Sequence, residues 1–222
     1  MTQATRQPGR GGLRRTGFTL IELLVVIAII GMLAGILVPT IGGILSLGYH
    51  AKTESHIKAL ANGADQYFDE YGAYPGQADW GNWQADTASQ HLVHLLFTPK
   101  GGKTYGSGWE PRDAFVSPSE DLLDNKDGSR SGTGKGYVPL DGFPKPMAIA
   151  YWPADPGKKG KADQFRQSQN DALLTEKDGK LESMISNDTT GLPHMDGKYI
   201  LLGAGIDRTF FTTDDVTNFR KD

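Results

Sequence analysis

The sequence predicts an α+β fold in which one long N-terminal helix packs its second half on a small sheet within a loop-rich C-terminal head. Three observations predict it. An uncharged apolar run extends over residues 23–49, and an amphipathic stripe follows it. Further along, residues 147–152 and 198–202 are short apolar segments typical of strands, set among stretches rich in Gly and Pro.

The apolar run is long enough to cross a membrane. From Leu23 to Tyr49 the chain has no Asp, Glu, Lys, Arg or His. As a helix these residues would extend about 40 Å, against about 30 Å for the hydrocarbon core of a bilayer. Residues 1–17 contain four arginines and no acid, and such a segment before a first apolar helix stays in the cytoplasm. We therefore expect the rest of the chain on the far side of the membrane.

Glu22 is the single charge near the start of the apolar helix. A carboxylate at bilayer depth costs roughly 2.5–3.5 kcal/mol, so it needs a partner. Cleavage between Gly17 and Phe18 would create one, because the new amino terminus lies one helical turn from Glu22. An ordinary secretory signal would have a shorter apolar region and a small-x-small site after it. A plain signal anchor remains an alternative, but it explains neither Gly17 nor Glu22.

The amphipathic stripe predicts that the helix continues to about Tyr71. Pro39 removes a backbone donor and is expected to bend it. Gly72 is the predicted C-cap, and Pro75 blocks continuation. The apolar positions recur at steps of three and four: Ile57, Leu60, Ala61, Ala64, Phe68 and Tyr71.

The remaining chain predicts short elements between loops. Residues 86–97 are expected to form a helix and residues 117–123 a turn, whereas residues 124–136 are typical of a flexible loop. The polar segment 155–196 is expected to be mostly a surface insertion.

Composition limits the possible functions. The chain has no cysteine, which excludes disulfides, thiolate metal sites and a thiol nucleophile. Without the four arginines of residues 1–17, 19 of the 23 basic residues remain against 26 acids, a net charge of −7. An acidic exterior does not suit nucleic-acid binding. No Gly-x-Ser-x-Gly motif is present, so the sequence offers no nucleophile of that kind. That the chain is a structural protein rather than an enzyme is what the family resemblance described next implies.

A family resemblance is carried by Gly17-Phe18-Thr19-Leu20-Ile21-Glu22 and the apolar Leu-Leu-Val-Val-Ile-Ala-Ile-Ile that follows. The segment resembles the class III signal of type IV pilins and type II secretion pseudopilins. In that family a prepilin peptidase cuts after the glycine and the new amine is methylated, which implies cleavage after Gly17 and an N-methylated Phe18. Glu22 matches the glutamate at the fifth mature position, and Pro39 matches a proline common near mature position 22.

The resemblance implies a pilin-like fold with a small antiparallel sheet and four segments. Residues 1–17 would be the leader peptide, 18–48 the membrane-spanning and filament-core helix, 49–74 its amphipathic half and 75–222 the globular head.

The C-terminal loop offers a candidate metal site. Asp207, Asp214 and Asp215 place three hard oxygen ligands within nine residues, and calcium takes six to eight oxygens. The ordinary alternative is that Asp is common in surface loops because it caps helices and stabilises turns. Without calcium, Arg208 could pair with Asp214 or Asp215 and hold the loop.

The major pseudopilins have a similar loop that closes on Asp-Ile-Thr-Asn-Trp and binds calcium. The resemblance therefore implies a calcium site at Asp207, Asp214 and Asp215. Arg208 departs from that pattern because it stands in place of a glycine, and Phe210 and Phe211 stand in place of small residues.

Weaker candidates lie elsewhere. His91 and His94 are spaced i, i+3 and could share a metal, although no third ligand is indicated. Gly-Thr-Gly-Lys within residues 128–136 lacks the P-loop spacing and is typical of a solvated loop. Trp80 and Trp83 could form a contact patch or pack under a loop.

The sequence thus indicates a subunit of a type II secretion pseudopilus, closest to the major pseudopilin, held in the inner membrane by a single span with its head in the periplasm. The resemblance implies as partners further copies of the chain, other pseudopilins, a prepilin peptidase, and an inner-membrane assembly platform with its ATPase. The alternatives are a type IV pilin or minor pseudopilin and, more distantly, a membrane-anchored binding or enzymatic domain, which would need a concave polar site.

Overall fold

The structure is a computed structural model that describes residues 18–78, 87–97, 114–116, 123–125, 137–187 and 189–219. The chain divides into two compact units, Met1–Ile44 and Leu45–Asp222. Trp80, Trp83 and the loop 126–136 lie outside the described residues, as does most of the turn expected at 117–123.

The long helix α1 extends over Leu20–Tyr71, which confirms the prediction within two residues at its start. Its helical assignment continues through position 39, and the bend expected at Pro39 stays a prediction. Gly72 ends the helix as predicted. Its φ is +72°, a conformation that glycine adopts without strain, and its N–H donates to the carbonyl of Phe68 at 2.7 Å.

Within the part of the chain that the structure describes, five strands form two antiparallel sheets, and short helices lie between them. Strands β1 (Leu123–Asn125) and β2 (Tyr137–Pro139) pair with each other. Strands β3 (Ala150–Pro153), β4 (Tyr199–Gly203) and β5 (Val216–Thr217) form a three-stranded sheet with β4 in the centre. The α-helices are α2 (Ala88–Phe97) and α3 (Leu181–Ile185), and the 3-10 helices are Pro156–Lys158, Ala162–Gln164 and Gln167–Leu173.

Both expected strands are present, with shifted ends. Of the segment predicted at 147–152, the residues from Ala150 onward belong to β3. Ala148 lies before the strand and makes an isolated bridge with Leu140. The segment predicted at 198–202 becomes β4. The loop predicted over 124–136 is wrong at its start, because residues 124 and 125 belong to β1.

Strands β3 and β4 are buried on both faces, which explains why they are continuously apolar, whereas the edge strand β5 is half-buried. Successive side chains in a strand point to opposite faces, and two core clusters result. One contains Tyr151, Tyr199 and Leu201 with residues of α1 and α2, including Ile57, Leu60, Leu92 and Leu96. The other contains Trp152, Ile200 and Leu202 with Phe165, Leu173, Leu181, Ile185 and Phe210.

The segment 155–196 differs from its prediction. Many of its residues are exposed, as expected. It is not merely a surface insertion, however, because Phe165, Leu173, Leu181 and Ile185 are at most 8% exposed and belong to the second cluster. The segment supplies apolar side chains that cover one face of the sheet.

The amphipathic half of α1 is fixed to the head by the loop after β2. The N–H of Gly142 donates to the hydroxyl of Thr53 at 2.8 Å, and Nδ1 of His56 lies 2.8 Å from the carbonyl of Leu140. A Cβ at position 142 would lie 2.6 Å from Cβ of Lys52. Glycine at this position therefore lets the loop backbone approach the helix closely.

Candidate functional site: the helix start and the C-terminal loop

Thr19 and Glu22 form a reciprocal pair at the start of α1. Oε2 of Glu22 accepts hydrogen bonds from the backbone N–H and the hydroxyl of Thr19, both at 2.8 Å. The N–H of Glu22 approaches Oγ1 of Thr19 at 3.3 Å. This arrangement is a capping box, in which residues Ncap and N3 satisfy each other's free amide groups. Glu22 therefore stabilises the helix start in addition to any role in assembly.

This cap is not among the features predicted from the sequence, although the spacing Thr19-Leu-Ile-Glu22 is its known signature. Phe18 is 78% exposed. Gly17, the other residue of the expected cleavage site, lies outside the described residues. The pairing of Glu22 with a free amine at Phe18 stays a prediction, because in this chain Phe18 is joined to Gly17 by a peptide bond.

The C-terminal loop leaves β4 through Gly205, which has a φ of +59°. A Cβ at this position would lie 2.5 Å from Oδ2 of Asp214 and 2.6 Å from its carbonyl oxygen. Both the conformation and the space therefore require glycine. The close approach brings the two ends of the loop together beside Asp214.

Carboxylates hold the backbone of this loop. Oδ2 of Asp214 accepts from the N–H of Ile206 at 2.7 Å and from that of Asp207 at 3.1 Å. Oδ2 of Asp215 accepts from the N–H groups of Phe211 and Thr212 at 2.7 and 3.1 Å. Charge-assisted bonds of this kind are about twice as strong as neutral ones.

The three predicted aspartates converge. One carboxylate oxygen from each of Asp207, Asp214 and Asp215 lies within 4.8 Å of the others. Two oxygens bound to one calcium ion at 2.3–2.6 Å each can be no more than about 5 Å apart. The donor set consists entirely of hard oxygens, which calcium prefers. The residues present therefore fit a calcium ion.

The surroundings of Asp214 favour its ionised form. Burial raises the pKa of Asp214, but hydrogen bonds from Thr212, Asp207 and Ile206 outweigh that effect and hold the pKa below its ordinary value. Arg208 binds the backbone of the loop after β2, and its pairing with Asp214 or Asp215 stays a prediction. Its guanidinium Nη1 donates to the carbonyl of Lys145 at 2.5 Å, which directs the positive charge toward the loop after β2.

The histidine pair named as a weaker metal candidate lies in α2. The rings of His91 and His94 have centroids 6.4 Å apart. His91 is buried at 3% exposure within the helix that packs on the sheet, and its position is that of a core-facing residue. Among the residues that the structure describes, the group of three possible metal ligands is the aspartate trio of the C-terminal loop.

Comparison with known proteins defines the class of this chain. Residues 13–38 match the family model of the prokaryotic N-terminal methylation motif. The match includes Gly17, Phe18 and Glu22, so the chain has the N-terminal segment of a prepilin-type protein.

The relatives define the family more closely. The type II secretion system core protein G of Dickeya chrysanthemi is 40% identical over 152 residues, which are 68% of this chain and 76% of that protein. The core protein G of Klebsiella michiganensis is 27% identical over 167 residues, 73% of this chain and 89% of that protein. This chain belongs to the type II secretion system core protein G family, the major pseudopilins.

Two further relatives match this chain over less than half of their own length. The core protein G of Pectobacterium carotovorum is 39% identical over 67 residues, so the alignment spans less than half, 43%, of that protein. The type IV major pilin PilA of Myxococcus xanthus is 32% identical over 93 residues, 36% of its length. No solved structure matches the chain significantly. The family and the apolar helix together identify a membrane-anchored pseudopilin with a pilin-like α+β fold.

Proposed function

We propose that this chain is a structural subunit that polymerises into a type II secretion pseudopilus and supports protein export. The observation that carries the proposal is the surface of α1. From Leu20 to Leu47 the large apolar side chains whose placement the structure describes are 45–85% exposed. That is far more apolar surface than a soluble monomer presents to water. Such a helix needs lipid around it before assembly and other apolar helices afterwards.

The proposed assembly begins in the inner membrane, with the arginine-rich leader in the cytoplasm and the head in the periplasm. A prepilin peptidase removes residues 1–17, and the amine of Phe18 is methylated. Glu22 then exchanges its bonds to Thr19 for a terminal amine, its own or that of a neighbouring subunit. An assembly ATPase and its membrane platform drive this step, and Pro39 gives the helix a bend within the filament core.

We also propose that calcium binds at Asp207, Asp214 and Asp215. The ion would offset the repulsion between three carboxylates held this close together. It would join the start of the loop, at Asp207, to its end, at Asp214 and Asp215, and so stabilise the head in the filament.

The alternative of a type IV pilin is favoured by the PilA match, but that match covers 93 residues against 152 for the Dickeya core protein G. Isolation of the native filament distinguishes the two. Mass spectrometry of its subunit should find methylated Phe18 as the first residue, together with other type II secretion components. A mature chain that still begins at Met1, or that is cut beyond Ala34, would reject the assignment.

A further inference from the structure

One turn of the segment 155–196, formed by residues 175–179, binds the backbone of the C-terminal loop. Phe210 of the loop is fully buried, in the same cluster as Leu173 and Leu181 on either side of this turn. The turn and the loop are therefore parts of one packed region, although they are about 30 residues apart in sequence.

The turn binds both polar groups of the Phe210 backbone. Oδ1 of Asp178 accepts from the N–H of Phe210 at 2.6 Å. The N–H of Gly179 donates to the carbonyl of Phe210 at 3.2 Å. Two adjacent residues, Asp178 and Gly179, thus hold the N–H and the carbonyl of Phe210.

Asp178 is itself held in place. Its Oδ2 accepts from the N–H and the hydroxyl of Thr175, and its own N–H donates to the carbonyl of Thr175 at 3.1 Å. One carboxylate therefore closes its turn with one oxygen and binds the C-terminal loop with the other. We call Thr175, Asp178 and Gly179 the clasp.

The loop needs such a constraint because two of its residues have unfavourable backbone conformations. Arg208 and Phe211 have φ values of 60° and 66°, a region that residues with a Cβ rarely adopt. They lie on either side of Phe210, where the clasp is bound. Surrounding structure must hold such conformations in place, and here the bonds from Asp178 and Gly179 contribute to doing so.

We propose that Asp178 is a positioning residue that keeps the C-terminal loop in its observed conformation, so that Asp207, Asp214 and Asp215 stay together before any cation arrives. The segment 155–196 therefore has a structural role, because its turn holds the backbone of the C-terminal loop beside the second core cluster. Asp178 is not one of the proposed metal ligands, because its two oxygens are directed to the backbone of Phe210 and to Thr175.

The direct test is amide hydrogen exchange at Phe210 and Phe211 in the full chain in detergent, with chelator present. Asp178→Ala should accelerate exchange at these amides at least about tenfold, while strand β4 keeps its protection. Glu176→Ala is the matched control, since it removes an exposed carboxylate from the same turn, and it should leave the exchange unchanged. Equal exchange in Asp178→Ala and the unmodified chain would overturn the proposal.

A second variant keeps the proposal testable if Asp178→Ala does not fold. A Cβ at Gly179 would lie 3.2 Å from Cβ of Phe211, so Gly179→Ala should displace the clasp slightly and also accelerate exchange at Phe210. An unchanged exchange rate in Gly179→Ala would overturn the proposed contact as well.

The effect on metal affinity rests on the calcium site proposed above and is measured separately. Calcium chloride titrated into the full chain should bind about tenfold more weakly to Asp178→Ala than to Glu176→Ala. If both variants and the unmodified chain bind no calcium, the metal proposal fails while the exchange result still decides the clasp. If both variants bind calcium more weakly than the unmodified chain by the same factor, the effect comes from net charge. That result would overturn the positioning role of Asp178 toward the metal.

Discussion

The carboxylate of Glu22 accepts two hydrogen bonds from Thr19, one from its backbone N–H and one from its hydroxyl, each at 2.8 Å. The acid expected to find a cationic partner during assembly is therefore already bound in the unprocessed chain. Its transfer to a terminal amine would break this cap, so the strength of the cap sets part of the cost of entering the filament.

Substitutions at the cap should separate its two roles. Glu22→Ala should leave cleavage after Gly17 intact but strongly reduce filament yield, because it removes both the cap and the partner of the amine. Thr19→Ala removes the two cap hydrogen bonds that involve the Thr19 hydroxyl but keeps Glu22. Loss of an N-cap side chain costs about 0.5–2 kcal/mol of helix stability, so this variant should reduce yield less. Cleavage is measured by mass spectrometry and filament yield by sedimentation of sheared filaments.

Thr19→Ser is the control for this pair, since serine caps helices at least as well as threonine. It should assemble normally. Normal filaments from Glu22→Ala, formed at the normal rate, would contradict the proposed pairing.

Calcium should stabilise the head through the aspartate trio. An ion present at 100 times its dissociation constant contributes about 2.7 kcal/mol to the free energy of unfolding. The unmodified chain should therefore melt at a higher temperature with calcium than with chelator. Asp207→Asn should lose most of this difference, because it removes an exposed ligand with little change to the packed loop.

Asp171→Asn is the matched control for that measurement, because Asp171 is exposed and lies outside the trio. It should keep the full calcium effect. Identical melting curves with and without calcium in the unmodified chain would remove the metal from the proposal.

Gly205→Ala should destabilise the head more than a positive φ alone explains. A residue with a Cβ in the left-handed region costs roughly 1–2 kcal/mol, and here the Cβ would also lie 2.5 Å from Oδ2 of Asp214. Gly160→Ala is the control, because Gly160 has a φ of +78° with nothing within 4 Å of its Cβ position. Urea unfolding should give a larger loss for Gly205→Ala, and equal losses would contradict the close approach.

The long helix could be predicted from sequence because its signals are local. The uncharged run, the stripe that includes Ile57 and Leu60, and the stop at Gly72 all lie within one continuous periodic segment, and α1 ends where they predict. The aspartate trio was predicted from the order of its residues, and the structure brings its three members together.

The second core cluster could not be predicted in the same way. Phe165, Leu173 and Leu181 are separated by mostly polar stretches, so no run of apolar residues at steps of two, or of three and four, marks a strand or a helix there. Strand β1 has only three residues, too few for a recognisable alternation. The clasp depends on the contact between Asp178 and Phe210, 32 residues apart, and no local pattern encodes it.

Asp141 should make the head less stable as the pH rises through the acid range. Burial raises the pKa of this carboxyl, and the N–H groups of Met147 and Phe143 and the charges of Arg208 and His56 only partly oppose the shift. A carboxyl whose pKa is higher in the folded state binds its proton more tightly there. Its favourable contribution is therefore complete below the ordinary value of 3.8 and is lost as the pH rises through the folded-state pKa.

Asp141→Asn tests this directly, because the amide oxygen can still accept from the N–H of Phe143 while the side chain stays neutral. The variant should be more stable than the unmodified chain at pH 7, and the difference should shrink toward zero as the pH falls below 3.8. Asp171→Asn, at an exposed position, should show no such trend. Urea unfolding across this pH range measures both, and a variant that is less stable at pH 7 would show that the charge of Asp141 is favourable beside Arg208.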